Sequence, residues 1–266
     1  MAEIGKLKKI LKDMENIAVA FSGGIDSTFL LSLASQTEGV KVTALTARLH
    51  GVPEREIEEA IPFCKNLGIK HIIFDFNELD IKEYRENRPQ RCYHCKTALF
   101  KVMLGITKDN NIKKLVDGTN ADDVGKYRPG LKALEEMGIS SPLAESGFSK
   151  EDIRKYSKEM GLSAWDKPSF PCLATRFPYG EEINENKLVM VGEAEEYLKD
   201  IGIRCIRVRM HGNIARIESD EEGLDLLIRK RQQVVRKLKS LGFLYITADL
   251  GGFRSGSMDE VLTAKK

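Results

Sequence analysis

Three groups of residues in this chain have types and spacing suited to chemistry. The first is Phe21-Ser22-Gly23-Gly24-Ile25-Asp26-Ser27, directly after the apolar stretch Ile17-Ala18-Val19-Ala20. A buried strand that breaks into Ser-Gly-Gly and then enters a helix is suited to hold phosphate. Two glycines let the backbone turn tightly and approach an anion. The N–H groups of Asp26, Ser27 and Thr28 at the helix start point at that anion, and the helix dipole favours its charge. The spacing is not that of a Walker A loop, which requires a Lys after its last Gly. Nor is it the G-x-G-x-x-G turn of dinucleotide sites.

The second group is sulfur. Arg91-Cys92-Tyr93-His94-Cys95-Lys96 holds a C-x-x-C pair, and Cys172 lies in Phe170-Pro171-Cys172-Leu173-Ala174-Thr175-Arg176. A single C-x-x-C pair reads as half a zinc site, a redox dithiol or part of an iron–sulfur site. No second pair and no H-x-x-x-H accompanies it, so a closed zinc site lacks obvious ligands. Three cysteines fit a 4Fe-4S cluster in which one iron keeps an open position. Cys64, in an apolar helical stretch, and Cys205, at a strand start, read as core residues. The third group is Arg207 and Arg209, two apart on a predicted strand and so on one face. Paired guanidinium groups suit phosphate recognition, although solvated arginines on an edge strand would give the same pattern. Glu193 and Glu196 face either a site or solvent.

The elements that must position these residues alternate. Strands are predicted at Ile17–Phe21, Lys41–Ala47, Lys70–Phe76 and Lys114–Asp117, with a fifth at Ser140–Ala144. Helices fit between them, at Ser27–Thr37, Pro53–Asn66, Lys96–Lys108 and Leu131–Met137. Gly39, Gly68 and Gly138 stand just past helix ends, where a left-handed cap is expected. Pro62 predicts a kink or break in its helix. Strands separated by helices imply a doubly wound parallel α/β sheet with helices on both faces. Ligands bind such sheets at the carboxyl ends of the strands. The Ser22 loop lies there, with Thr46 after the second strand and Asp117-Gly118-Thr119-Asn120 after the fourth.

Ser149-Lys150-Glu151-Asp152 begins a helix that Gly161 stops. The prolines of Asp166–Pro171 then forbid regular structure. From about Glu182 the pattern becomes helix Glu185–Lys199, strands Cys205–Arg209 and Asn213–Glu218, helix Glu221–Ser240 and strand Phe243–Ala248. That is a smaller α+β domain, and the expected division is 1–178 and 179–266. The basic run at Arg229–Lys239 is interleaved with Leu227, Val234 and Leu238, so it reads as a solvated helix face or an oligomer rim.

With 266 residues, 42% hydrophobic and 31% charged, the chain has a globular composition, and its net charge of +2 gives no strong field for nucleic acid or membrane. Met1–Met14 reads as an amphipathic first helix, so no secretory leader is expected. Five cysteines, an odd number, argue against a disulfide framework. No apolar run reaches membrane-spanning length. The expected location is the cytoplasm.

The Ser22–Ser27 loop resembles the S-G-G-x-D-S loop of the PP-loop ATP pyrophosphatases, which cleave ATP between its α and β phosphates. Taken with the Asp117–Asn120 loop, Cys92 and Cys95, Pro171–Arg176 and Asp249–Gly256, the chain resembles the LarE family over essentially its whole length. Those proteins are ATP-dependent sulfur transferases that build the nickel-pincer cofactor of lactate racemase. The resemblance implies that a carboxylate of a pyridinium dicarboxylate mononucleotide is adenylated and then attacked by sulfur. AMP leaves and a thiocarboxylate results. It implies ATP held by Ser22, Gly23, Gly24, Asp26, Ser27, Thr46, Gly118 and Thr119, and Mg²⁺ on Asp26. It implies substrate phosphate on Arg207 and Arg209, and catalytic roles for Cys172, Asp26 and Arg176, with Arg176 contacting substrate or pyrophosphate. Some family members carry a lone cysteine at the Cys172 position and sacrifice its sulfur. Others hold a 4Fe-4S cluster on three cysteines, and with Cys92, Cys95 and Cys172 this sequence resembles the cluster kind. A sulfide or sulfur donor and a homo-oligomer, a hexamer in the family, are further implications.

A tRNA thiolase of the same superfamily is the rival enzyme, but it needs a tRNA surface that a balanced charge does not advertise. An amidating synthetase fits the loop and leaves the cysteines without a task. A nucleotide-binding module with a metal at Cys92 and Cys95 is the rival from outside enzymes.

Overall fold

The computed structural model describes residues 4–125, 129–168, 170–254, 256–258 and 260. Met1–Glu3 of the expected first helix, Ser169 of the Pro-rich segment and Ser255 of the C-terminal segment lie outside the described residues. The chain divides into two compact units: Met1–Glu78 with Gln90–Phe170, and Leu79–Pro89 with Pro171–Lys266.

In the first unit, helix α1 (Ile4–Met14) leads into β1 (Asn16–Ala20), followed by α2 (Ile25–Ser35), β2 (Lys41–Arg48), α3 (Glu54–Asn66) and β3 (Lys70–Asp75). The strands form a parallel sheet in the order β3-β2-β1-β4, where β4 is Lys114–Val116. Ile17 pairs with Val42 on one side and Lys114 on the other. Strand alternation puts Ile17 and Val19 into a core with Phe29, Leu30 and Ile153, and Ala18 into a second with Phe100, Met103 and Leu134. Helices therefore cover both faces, which is why β1 is apolar from Ile17 to Ala20. Succession runs outward from β1 to β3 on one side and returns to β4 on the other. The crevice between the carboxyl ends of β1 and β4 is thus the switch point of the sheet.

The expected fifth strand at Ser140–Ala144 is corrected: a single bridge joins Val116 to Ser140, and Pro142–Glu145 forms a short helix. Pro142 supplies the reason, since it has no N–H for a ladder and suits a first helical turn. Helix α3 continues through Pro62 to Asn66 without the predicted break. Gly68 and Gly138, with φ of 66° and 67°, stand where left-handed caps are expected, whereas Gly39 (φ 84°) lies three residues past Gln36, the C-cap of α2, in a turn closed by Val40 N–H to Thr37 O. The first unit also contains α5 (Arg91–Asp109), α6 (Pro129–Glu136), α7 (Pro142–Glu145) and α8 (Lys150–Glu159).

The second unit takes in the short helix α4 (Lys82–Arg85) from the excursion Leu79–Pro89. Buried Asn87 ties that excursion down. Its Nδ2 donates to the carbonyls of Phe177 (3.1 Å) and Pro178 (2.7 Å), while Ile183 N–H donates to Arg85 O. Helix α9 (Glu185–Asp200) precedes a sheet of β5 (Ile206–His211), β6 (Ile214–Ser219) and β7 (Tyr245–Ala248), with β5–β6 antiparallel and β6–β7 parallel. The predicted single helix Glu221–Ser240 is two, α10 (Glu221–Arg229) and α11 (Arg231–Ser240), broken at Lys230. The break lets Leu227 and Val234 each bury, with α10 on β6 and α11 on β7. Among the described residues no helix is long and apolar enough to cross a membrane.

Candidate functional site

In the first unit the loop after β1 turns on Gly23, whose φ of +71° only glycine adopts without strain. Gly24 is the N-cap of α2 and offers no side-chain cap. The first backbone bond of the helix is Thr28 N–H to Gly24 O, so the N–H groups of Ile25, Asp26 and Ser27 precede the ladder, as an anion site requires. Ser27 Oγ donates to Gly24 O (3.0 Å) and accepts from Ser22 N–H (3.3 Å), which fixes the loop against its own helix. A Cβ on Gly118 would stand 3.0 Å from Ser27 N, so glycine there lets the loop after β4 approach α2.

Asp26 projects from the first turn of α2. Its Oδ1 accepts from Asn120 Nδ2 (3.3 Å) and its Oδ2 pairs with Lys150 Nζ (2.5 Å). Lys150 opens α8, where Ser149 and Asp152 form a reciprocal capping box. Sequence reading found that capping box but gave Lys150 no part in the site; only the fold returns residue 150 to residue 26. Asp117, buried, accepts from Thr119 Oγ1 and Ser141 Oγ, each at 2.5 Å, and this shapes the Gly118–Asn120 loop. Thr46 Oγ1 donates to Phe21 O (2.8 Å) and lies 2.8 Å from His71 Nε2. The ring of His71 also meets Phe21 edge-on, and burial pushes its pKa below the ordinary histidine value.

Cys92 and Cys95 lie in the first two turns of α5, three apart and so on one side of it, Cys92 exposed and Cys95 half-buried. Among the described residues no group of three or more His, Cys, Asp or Glu is gathered as a metal site. Burial raises the Cys64 thiol to about 11, as befits an inert core position; Cys205, expected in the core, is only half-buried, and burial raises its thiol as well.

In the second unit Cys172 immediately precedes a single 3₁₀ turn, Leu173–Arg176. The hydroxyl of Tyr84, from the excursion, lies 3.3 Å from Cys172 Sγ. Arg176 is fully buried, with Nε 2.7 Å and Nη2 3.0 Å from the two oxygens of Glu195, while Nη1 donates to Thr175 Oγ1 and Pro171 O. Glu195 Oε1 also accepts from Val208 N–H (2.8 Å). Sequence reading named Glu193 and Glu196, the neighbours, but missed Glu195. Arg207 and Arg209 share one face of β5 and are both buried. Arg209 pairs with Glu218 (2.8 Å) and also bonds Ser257 and Thr175 O, leaving its buried Nε without a hydrogen-bond partner among the described residues. Arg207 lies over the Phe253 ring, 5.1 Å from its centroid. Burial, then the neighbouring Arg176, lowers its pKa to about 10 despite Glu195.

A parallel sheet with a Ser-Gly-Gly loop and a carboxylate at its switch point defines the PP-loop ATP pyrophosphatase class, and the queuosine biosynthesis protein QueC family matches residues 16–87. Similarity extends well beyond that core. The chain is 38% identical to the pyridinium-3,5-bisthiocarboxylic acid mononucleotide synthase of Lactiplantibacillus plantarum, over 95% of this chain and 92% of that protein. It therefore belongs to the family of that synthase, the LarE family. Uncharacterized proteins of Synechocystis (38% identical, 98% of each chain) and Methanocaldococcus jannaschii (34% identical, 94% of this chain, 96% of that one) are similar over the same extent.

Proposed function

We propose that this protein is an ATP-dependent sulfur transferase. It adenylates a carboxylate of a pyridinium dicarboxylate mononucleotide and replaces AMP by sulfur, giving a thiocarboxylate. Full-length similarity to the Lactiplantibacillus synthase carries this reading, and the loop geometry supports it. A carboxylate oxygen is a poor leaving group and AMP a good one, so adenylation precedes sulfur attack. Ser22, Gly23, Gly24 and Ser27 grip the phosphates, and the Thr46 and Gly118–Thr119 loops complete the ATP site. Asp26 offers hard oxygen donors beside the phosphate loop and fits a Mg²⁺ ion. That ion would stabilise charge building on pyrophosphate. Arg207 and Arg209 receive the substrate phosphate, and Arg176, locked to Glu195, braces the turn that carries Cys172.

Three cysteines with soft thiolate donors suit a 4Fe-4S cluster on Cys92, Cys95 and Cys172. Such a cluster would supply nucleophilic sulfide. A second reading is that Cys172 surrenders its own sulfur, the Tyr84 hydroxyl 3.3 Å from Sγ being a group able to exchange a proton with it. The 79–89 and 171–266 unit acts as the substrate-binding and oligomerising part of a cytoplasmic homo-oligomer.

Incubation with ATP, Mg²⁺ and the substrate nucleotide tests the enzyme, and absence of AMP and pyrophosphate defeats it. Iron and acid-labile sulfide after anaerobic reconstitution support the cluster. Iron-free protein whose Cys172 loses mass after turnover supports the sacrificial route. Tight, salt-sensitive tRNA binding would favour a tRNA thiolase instead.

A further inference from the structure

The Pro-rich segment carries a lysine to which the proposed chemistry gives no task. Lys167 Nζ lies 2.8 Å from Glu56 Oε2 and 2.7 Å from Glu59 Oε2, both on α3. Glu56 is buried against the phosphate loop: a Cβ on Gly23 would meet Glu56 O at 3.3 Å and its Oε2 at 3.6 Å. A carboxylate in that place repels a polyphosphate unless a cation accompanies it. Burial alone would depress the Lys167 ammonium, but its hydrogen bonds to Glu56 and Glu59 hold its pKa above the ordinary lysine value, so it stays charged. The loop is thus flanked by two lysine–carboxylate pairs from different elements, Lys150 with Asp26 and Lys167 with Glu56.

We propose that Lys167 is a pyrophosphate-binding residue, stored on Glu56 and Glu59, which keeps buried Glu56 and exchanges the more exposed Glu59 for the β and γ phosphates when ATP enters. This rests on the reading of Ser22–Ser27 as the ATP loop. In adenylation a carboxylate oxygen bonds the α phosphorus. The bond from that phosphorus to the α–β bridging oxygen breaks, and its electron pair leaves on pyrophosphate. Lys167 neutralises charge at that leaving group. Its long side chain can change partners without moving the backbone, which Pro168 and the Lys167 N–H bond to Ala164 O hold in place.

The test is calorimetric titration of the full chain with Mg-pyrophosphate and, separately, with AMP. K167M and K167Q should bind Mg-pyrophosphate about tenfold more weakly, as loss of one charge-assisted contact predicts. K167R should stay within about twofold of the unsubstituted chain, since it keeps the charge. AMP binding should be unchanged in all three. Unchanged pyrophosphate affinity in K167M or K167Q overturns the proposal, as does an equal loss of AMP binding in both, which marks Lys167 as only a brace for its segment. If the unsubstituted chain binds no Mg-pyrophosphate, the ATP-loop reading fails and this proposal with it.

Discussion

Arg176 and Glu195 form a bidentate ion pair in which both side chains are buried, 0% and 1% exposed. The pair joins the turn after Cys172 to α9, and through Val208 N–H to β5. Removing one partner strands the other charge without water. R176M or E195Q should each lose roughly 3–5 kcal/mol of stability, and R176M/E195M should lose clearly less than the sum. Urea unfolding of the three variants measures this. Additive losses would mean that the two side chains act independently.

In the proposed ATP site Asp26 is the carboxylate for the cation, and D26N keeps the shape while removing the charge. AMP formation should fall at least about 100-fold, in line with lost electrostatic stabilisation of a leaving group. K150M should raise the KM for ATP. A D26N enzyme with near-normal turnover would take Asp26 out of the reaction.

Thr46 is engaged on both sides of its oxygen, donating to Phe21 O and meeting His71 Nε2 at 2.8 Å. T46V strands the buried Phe21 O and the half-buried His71 Nε2 and should cost about 1–3 kcal/mol while raising the KM for ATP. T46S should restore both. If H71F leaves the KM for ATP untouched, then the relay from His71 through Thr46 does not set the loop.

Burial lowers the pKa of His71, and burial with Arg216 and Arg209 lowers that of His211. Between the ordinary value of 6.5 and the lower folded values, the unfolded chain binds more protons than the folded one. Stability therefore rises with pH across that window and falls as pH drops through it. Unfolding midpoints from pH 7.5 to 5 read the slope, and H71Q should flatten it. An unchanged slope in H71Q would place the effect elsewhere.

The phosphate loop was legible because its constraints are local. Gly23 needs a positive φ, α2 must start at once, and β1 must be apolar on both faces, so seven consecutive residues state the whole arrangement. Element boundaries failed where local signals conflicted with distant packing. Ser140–Ala144 is apolar enough for a strand, but Pro142 cannot join the ladder. The stripe of Glu221–Ser240 suits one helix, yet two sheet strands need two helix directions.

By itself the sequence determined the class of chemistry: an anion loop, three cysteines away from the core, two arginines on one strand face. Only the tertiary structure decided which charges stand together. Lys150 and Asp26 are 124 residues apart, and Lys167 and Glu56 are 111 apart. No periodicity or motif links positions so distant, because their meeting depends on how α3, α8 and the loop after it return to the end of one sheet. The same holds for Glu195, which differs from Glu193 and Glu196 only by the direction its helix face takes. Charge in sequence is a composition; whether it is buried, paired or free to meet a phosphate is a property of the fold.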